Sequence, residues 1–258
     1  MIKNKIKKYV LPVLAVLFWL CVWQIIALLV NKELLLPDPI SVFVRIGEMM
    51  ASSSFWVTVF NSIKNILLGL AVGFVLGTLT AVLTSNIKAL DVMLKPLISV
   101  IKITPVASFI LLLVLWMNRI DVPSFVSVLI VFPIVWANIS QGIKSTDPKL
   151  KDVAKVFGFS FFKKLIYLYV PTVLPSALAA LMSSIGLAWK AGISAEILAL
   201  PHDTIGYEIF QAKNYLFTLD VFAWTVVIIA LSVIFERLII FLIGLLSKKM
   251  LERGGGDA

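Results

Sequence analysis

The sequence predicts an all-α, polytopic membrane protein with about six transmembrane helices in a single domain, residues 1–258. Three observations carry this. Hydrophobic residues make up 60% of the chain and the mean hydropathy is +1.04, whereas soluble domains are nearer half apolar. The apolar residues gather in repeated runs of about twenty, the length that crosses a ~30 Å hydrocarbon layer. The net charge of +9 is spread over the segments between those runs, which points to membrane topology rather than to nucleic acid.

Composition also excludes functions. There is no Gly-rich phosphate loop, so the chain itself is not expected to hydrolyse ATP. Cys21 is the single cysteine, which rules out an intrachain disulfide or a cysteine metal cluster. No metal-ligand set and no nucleophile–base grouping stands out, so neither an enzyme nor a cofactor or metal site is expected.

The N-terminus supplies Lys3, Lys5, Lys7 and Lys8, followed by an apolar run to about Val30. That run is long for a signal peptide and lacks a small-residue cleavage pattern, so it reads as a retained first membrane helix. Trp19 and Trp23 are expected to face lipid or to pack. Leu34–Ile40, LLLPDPI, reads as an extended, Pro-broken stretch, and Ser41–Phe55 as a partly amphipathic surface helix. The second membrane helix is expected over roughly Val57–Leu83. Gly69, Gly73 and Gly77 recur there at every fourth position and form a ridge that lets another helix backbone approach closely. Lys64 lies near enough to the helix start to snorkel to the interface.

Asn86–Lys102 reads as a short loop and helix end. A third helix is expected to begin near Met93 and to be broken or bent at Pro105. Bent backbone at membrane depth is usually buried against protein or a pathway. Met117–Pro123 reads as a tight turn and Ser124–Gln141, with Pro133 and Trp136, as a fourth helix.

Next comes the only long polar segment between two strongly apolar blocks, Ser145–Pro175 within a loop of about 143–171. Asp147 suits an N-cap and Pro148 the first helical position. Leu150, Val153, Ala154 and Phe157 follow at i, i+3, i+4 and i+7, making one apolar stripe. Lys151, Asp152 and Lys155 fall off the stripe, and Gly158 sits where a left-handed stop is easiest. A further run from Ser160 carries Lys163 and Lys164, with Pro171 and Pro175 marking the entry to the next apolar helix.

The fifth helix, about Ser176–Leu200, is rich in Ala, Ser and Gly, so it is expected to pack on several sides, centrally or near a dimer interface. It also holds Trp189, Lys190 and Glu196. An ionisable group well inside a membrane helix is by default a pathway hypothesis. Lys190 can attract an anionic substrate or serve as a structural cation bonded to a neighbouring helix. Lys190 and Glu196, six residues apart, do not share a helix face. His202–Asp220 is polar, and His202–Asp203 reads as solvated rather than metal-binding. The sixth helix is expected over about Val221–Leu246, with Glu236 and Arg237 available for partners on other helices. The tail Lys248–Ala258 reads as polar and mobile.

The polar segment resembles the cytoplasmic coupling loop of type I ABC importer permeases. That family's pattern is Glu-Ala-Ala, three residues, Gly, and a Leu-Pro about a dozen residues on. Here Asp152-Val153-Ala154, Gly158 and Val170-Pro171 stand in its place, with Asp for Glu and Val for Ala. The likeness extends over about Leu35–Leu246. LPDPISVF, KITPVASF, DPKLKDVAKVFG and AGISAEIL are similar to the branch that imports nitrate, sulfonates, taurine or bicarbonate, which also includes permeases for thiamine or riboflavin precursors. Ile205-Gly206-Tyr207 resembles that family's Gly-containing segment after the fifth helix. The resemblance implies a permease in a lipid bilayer, working as a homodimer. Two cytoplasmic ABC ATPase subunits would grip the coupling helices through Asp147, Leu150, Asp152, Val153, Ala154, Phe157, Gly158 and Pro171, and an extracytoplasmic substrate-binding protein would deliver the solute. Pro105, Trp189, Lys190 and Glu196 are the candidate pathway residues.

The basic residues orient the chain independently. With the termini inside, sixteen lysines and arginines flank the cytoplasmic side and four (Lys32, Arg45, Arg119, Lys213) the other. The positive-inside rule therefore places both termini and the coupling loop in the cytoplasm. Two other classes remain at this stage: an ion-coupled secondary transporter or channel, for which there is no convincing inverted repeat, and a membrane scaffold using the loop only for protein binding.

Overall fold

The computed structural model describes residues 2–254, and the side chains of 10–241 except 151, 161, 162 and 165. The basic side chains of Lys3, Lys5, Lys7, Lys8, Lys151, Lys248, Lys249 and Arg253 lie outside the described residues, as do residues 255–258 of the tail expected at Lys248–Ala258; the rest of that tail is instead helical, the last helix running past the expected Leu246 to Gly254.

Helix α1, Ile2–Val30, is apolar almost throughout. Trp19 is largely exposed, while the Trp23 indole donates to the Pro37 carbonyl at 3.1 Å and lies 6.0 Å from Phe222. The LLLPDPI stretch ends in a cap. Asp38 accepts from the Ile40 and Ser41 amides and from Ser41 Oγ, and Pro39 starts the surface helix α2, Pro39–Met50. These bonds favour the ionised carboxylate and hold the Asp38 carboxyl below its ordinary range. Arg45 of α2 clamps Asp220 with two bonds, 2.6 and 3.1 Å, and reaches Glu48 at 2.9 Å.

Helix α3 runs Ser53–Asn86, longer than expected at both ends, with Ser52 as its cap. At 1.5 Å per residue its 34 residues span about 51 Å, well beyond the hydrocarbon layer. The segment Asn86–Lys102, expected as a short loop leading into a helix from about Met93, is already helical from Lys88: helix α4 is Lys88–Ile103, supported by a Lys95–Asp91 ion pair of 2.6 Å. Its amphipathic period outweighs the polar residues that suggested a loop. Helix α5 is Val106–Trp116, and α4 and α5 meet at a 103° bend. The break falls at Thr104-Pro105, as the proline predicts. Helix α6, Val122–Lys144, carries Pro133 without ending. Helix α7 is Pro148–Val156; a short helix α8, Phe161–Lys164, continues through a π-helical turn, Leu165–Tyr169, into helix α9, Val170–Ala199. The fifth span therefore starts well before Ser176. Pro171 and Pro175 sit inside a continuing helix, and the π turn ends one residue before Pro171, at Tyr169. Helix α10, Ile205–Asn214, and helix α11, Thr218–Gly254, complete the chain.

The core is α3, α6 and α9. Positions Gly69, Gly73 and Gly77 meet Ser124, Val131 and Val135 in that order, so α3 and α6 run parallel. Positions Gly142 and Ser127 meet Ser176 and Gly192, so α9 runs antiparallel to both. A parallel pair can be joined only if the chain returns between them. The bent pair α4–α5 therefore counts as a crossing, which gives six. Stacking of Phe55 on Trp224 and proximity of Trp189 to Phe235 set α11 parallel to α3. The ends of α1 and α11 remote from Trp23 and Trp224 then lie on the same side of the bundle as α7. Glu236 and Arg237 are exposed and, contrary to expectation, have no ion-pair partner among the described residues.

Candidate functional site

The polar segment is built as a short, capped, protruding helix. Asp147 Oδ1 accepts from the Lys149 amide at 2.8 Å, with Pro148 at the first helical position. At the other end the Gly158 amide donates to the Lys155 carbonyl and the Phe159 amide to the Ala154 carbonyl. This pair of bonds, closed over a residue at φ +61, is the left-handed stop that glycine adopts most cheaply. Of the predicted stripe, only Ala154 is buried. Leu150 and Val153 are half exposed and Phe157 is 74% exposed. Val156, which the spacing did not select, is the most exposed of the group. Asp152 is exposed, and Pro171 lies in the α9 start that receives the loop.

The predicted glycine ridge is a tight seam between α3 and α6. A Cβ at Gly69 would run into the Ser124 carbonyl. One at Gly73 would lie 2.8 Å from Val131 Cβ, and one at Gly77 2.8 Å from the Phe132 carbonyl oxygen. These helices touch backbone to side chain, as close packing in lipid requires.

The four candidate pathway residues are not gathered into one site. Pro105 is exposed at the α4–α5 bend. Trp189 is buried 5.9 Å from Phe235, its indole N–H unpartnered among the described residues. Lys190, one position on, faces outward and pairs with no carboxylate among the described residues. Glu196 is fully buried, and its Oε2 accepts from Ser62 Oγ at 2.9 Å and from the Gly206 amide at 3.0 Å. Ser62 Oγ in turn accepts from the Ile205 amide at 2.9 Å. Glu196 thus ties α9 to α3 and to the start of α10. Reading the sequence missed Ser62 and Gly206. The signal for Gly206 was the Ile205-Gly206-Tyr207 segment: a Cβ there would collide with Glu196.

Residues 73–252 match the family described as binding-protein-dependent transport system inner membrane component. The bicarbonate transport system permease protein CmpB of Synechococcus elongatus is 26% identical over 254 residues, covering 93% of this chain and 90% of its own. The formylaminopyrimidine transport permease protein ThiX of Halalkalibacterium halodurans is 29% identical over 197 residues, covering 76% and 78%. Among solved structures, a chain of a bacterial alginate ABC transporter, captured with an alginate pentasaccharide-bound periplasmic protein, superposes with a TM-score of 0.60 at 17% identity, covering 98% of each chain. At that identity the likeness speaks for the fold alone.

Proposed function

Because the chain belongs to the family of binding-protein-dependent transport system inner membrane components, and so is the permease component of an ABC importer, we propose that it works as a homodimer driven by two cytoplasmic ATPase subunits. The observation that carries this is the exposed apolar face of α7. Leu150, Val153, Val156 and Phe157 are exposed on a helix capped at both ends, the kind of contiguous apolar patch that marks a contact for a partner. Apolar anchors of this kind supply most of the energy of a docking contact, and Asp152 with Lys155 would set its orientation through charge.

In this reading ATP-driven closure of the ATPases draws the two α7 helices together. The short path through Gly158, α8 and the π-helical turn passes that motion to α9, and α6 receives it at Lys144. The glycine seam makes α3 follow α6, so the bundle rocks between outward- and inward-facing states. An extracytoplasmic binding protein delivers the solute at the end of the bundle opposite α7. Both termini and α7 lie in the cytoplasm, supported by the distribution of basic residues and by the shared side of α7 and the chain ends. The solute is small and polar or anionic. Lys190, exposed on the central helix α9, and Pro105, at the bend, are the proposed cavity residues, with Trp189 and Glu196 holding the helix beneath them.

The test is solute uptake by proteoliposomes containing this chain with its partner ATPase and binding protein. Uptake is expected to require ATP and to stop when the ATPase's catalytic carboxylate is neutralised. Uptake that persists on an ion gradient alone would place the chain among secondary transporters.

A further inference from the structure

Helices α3 and α9 meet at the end of the bundle opposite α7, where Ser62 donates to Glu196 and Ile66 lies against Gly192. At the α7 end they part. A cleft of about 340 Å³ separates them there, floored by Ile139 and Ile143 of α6. Its walls are Val82 of α3 and Val170, Val173 and Leu174 of α9. The cleft follows α3 from Thr78 to Asn86, about 12 Å along the helix axis. That is most of one leaflet, which is half of a ~30 Å hydrocarbon layer.

The polar side chains along α3 are spent within their own helix. Thr78, at the deep end, donates its hydroxyl to the Phe74 carbonyl at 2.7 Å, and Asn86 Nδ2 donates to the Val82 carbonyl at 2.7 Å. The rim also holds Tyr169 and Lys164, both half-buried. Lys164 has no ion-pair partner among the described residues. An apolar slot with one cation at its mouth fits an amphiphile with a negative head.

Size selects among occupants. A helix, 10–12 Å across, fills on the order of 900 Å³ over 12 Å of its length, so neither a second copy nor a partner helix can enter. A single hydrocarbon chain can, and in a bilayer such chains surround the bundle. Left empty, the lining would forfeit its dispersion contacts. We propose that this cleft seats one acyl chain of an anionic phospholipid from the leaflet on the α7 side, with the lipid phosphate paired to Lys164. Basic pockets between membrane helices hold anionic head groups in this way. Tyr169 closes the π-helical turn that leads into α9, so the seated chain braces the junction through which α7 joins the bundle.

The experiment uses the full chain assembled with its partner ATPase in detergent. It is titrated with dioleoyl phosphatidylglycerol or dioleoyl phosphatidylcholine, and lipids retained on this chain are counted by native mass spectrometry. One phosphatidylglycerol per chain is expected at concentrations where phosphatidylcholine is not retained. Lys164→Gln should weaken phosphatidylglycerol binding about fivefold, the loss expected for one lysine–lipid contact, and leave phosphatidylcholine unchanged. Lys163→Gln, at an exposed neighbour outside the lining, should change neither. Val173→Trp, which fills the cleft, should abolish the saturable lipid. Lys164 lies at the rim, so Lys164→Gln reads the site even if Val173→Trp folds poorly. Equal retention of the two lipids, equal losses for Lys163→Gln and Lys164→Gln, or lipid retained unchanged by a folded Val173→Trp would overturn the proposal. So would displacement of the lipid by glycerophosphoglycerol, the head group without chains, which would mark a site for a free anion.

Discussion

Ser62 on α3 donates to Glu196 on α9 across 2.9 Å, and the same carboxylate oxygen takes the Gly206 amide. One buried acceptor therefore fastens three helices at the end of the bundle opposite α7. Glu196→Ala would leave the Ser62 hydroxyl and the Gly206 amide without an acceptor, at a cost of about 1–3 kcal/mol each. Glu196→Gln keeps a carbonyl oxygen able to accept both bonds. Melting curves in detergent should show a drop of several degrees for Glu196→Ala and a much smaller one for Glu196→Gln. Equal losses would show that the ionic charge, rather than the bonds, holds the junction.

The glycine seam makes a contrast within one chain. Gly73→Val places bulk against Val131 and the Val128 backbone, a small-to-large change costing about 1–3 kcal/mol. Gly186 has open space around its Cβ position, and Gly186→Ala exchanges glycine for the best helix former. Thermal stability should fall for Gly73→Val and hold or rise for Gly186→Ala.

Glu208 on α10 has its carboxyl pushed above the ordinary range, first by burial and then by Asp203 and Asp220. A raised carboxyl favours the folded state when protonated, so its contribution to stability falls as the pH rises above the ordinary glutamate range. Glu208→Gln removes that penalty. The variant should match the unaltered chain at low pH and melt higher at pH 7–8, measured by scanning fluorimetry across pH. A variant less stable at pH 8 would mean that the carboxylate is compensated by a partner.

The caps of α7 are testable apart from docking. Asp147→Ala should cost about 1 kcal/mol of local helix stability, and Gly158→Ala a comparable amount for placing a side chain at positive φ. Hydrogen exchange should speed up in residues 148–157 and stay unchanged in α6. Because the Gly158 Cβ position faces open space, this loss would arise from backbone strain alone.

Much of this was legible in the sequence because it rests on local rules. Asp147-Pro148 and Gly158 fix both ends of α7 by chain chemistry. Gly69, Gly73 and Gly77 announce a close helix approach by spacing alone, and Pro105 marks the bend. What stayed hidden depended on other helices. Glu196 read as a pathway charge because its partners, Ser62 and Gly206, are far away along the chain or lie in a segment noted only for its glycine. The start of α4 was missed because Lys88 and Asp91, ahead of the helix expected from Met93, look like a loop when no membrane surface is present to divide the faces. Pro171 and Pro175 looked like a helix start, yet a π-helical turn precedes them and helix continues through both.

The most direct test of the central claim is labelling of a single cysteine at the most exposed apolar position of α7, Val156→Cys in a Cys21→Ser background, with a membrane-impermeant maleimide. Intact cells should leave it unlabelled, permeabilised cells lacking the ATPase should label it fully, and restoring the ATPase should protect it. Labelling of intact cells from outside, or labelling indifferent to the ATPase, would contradict the account.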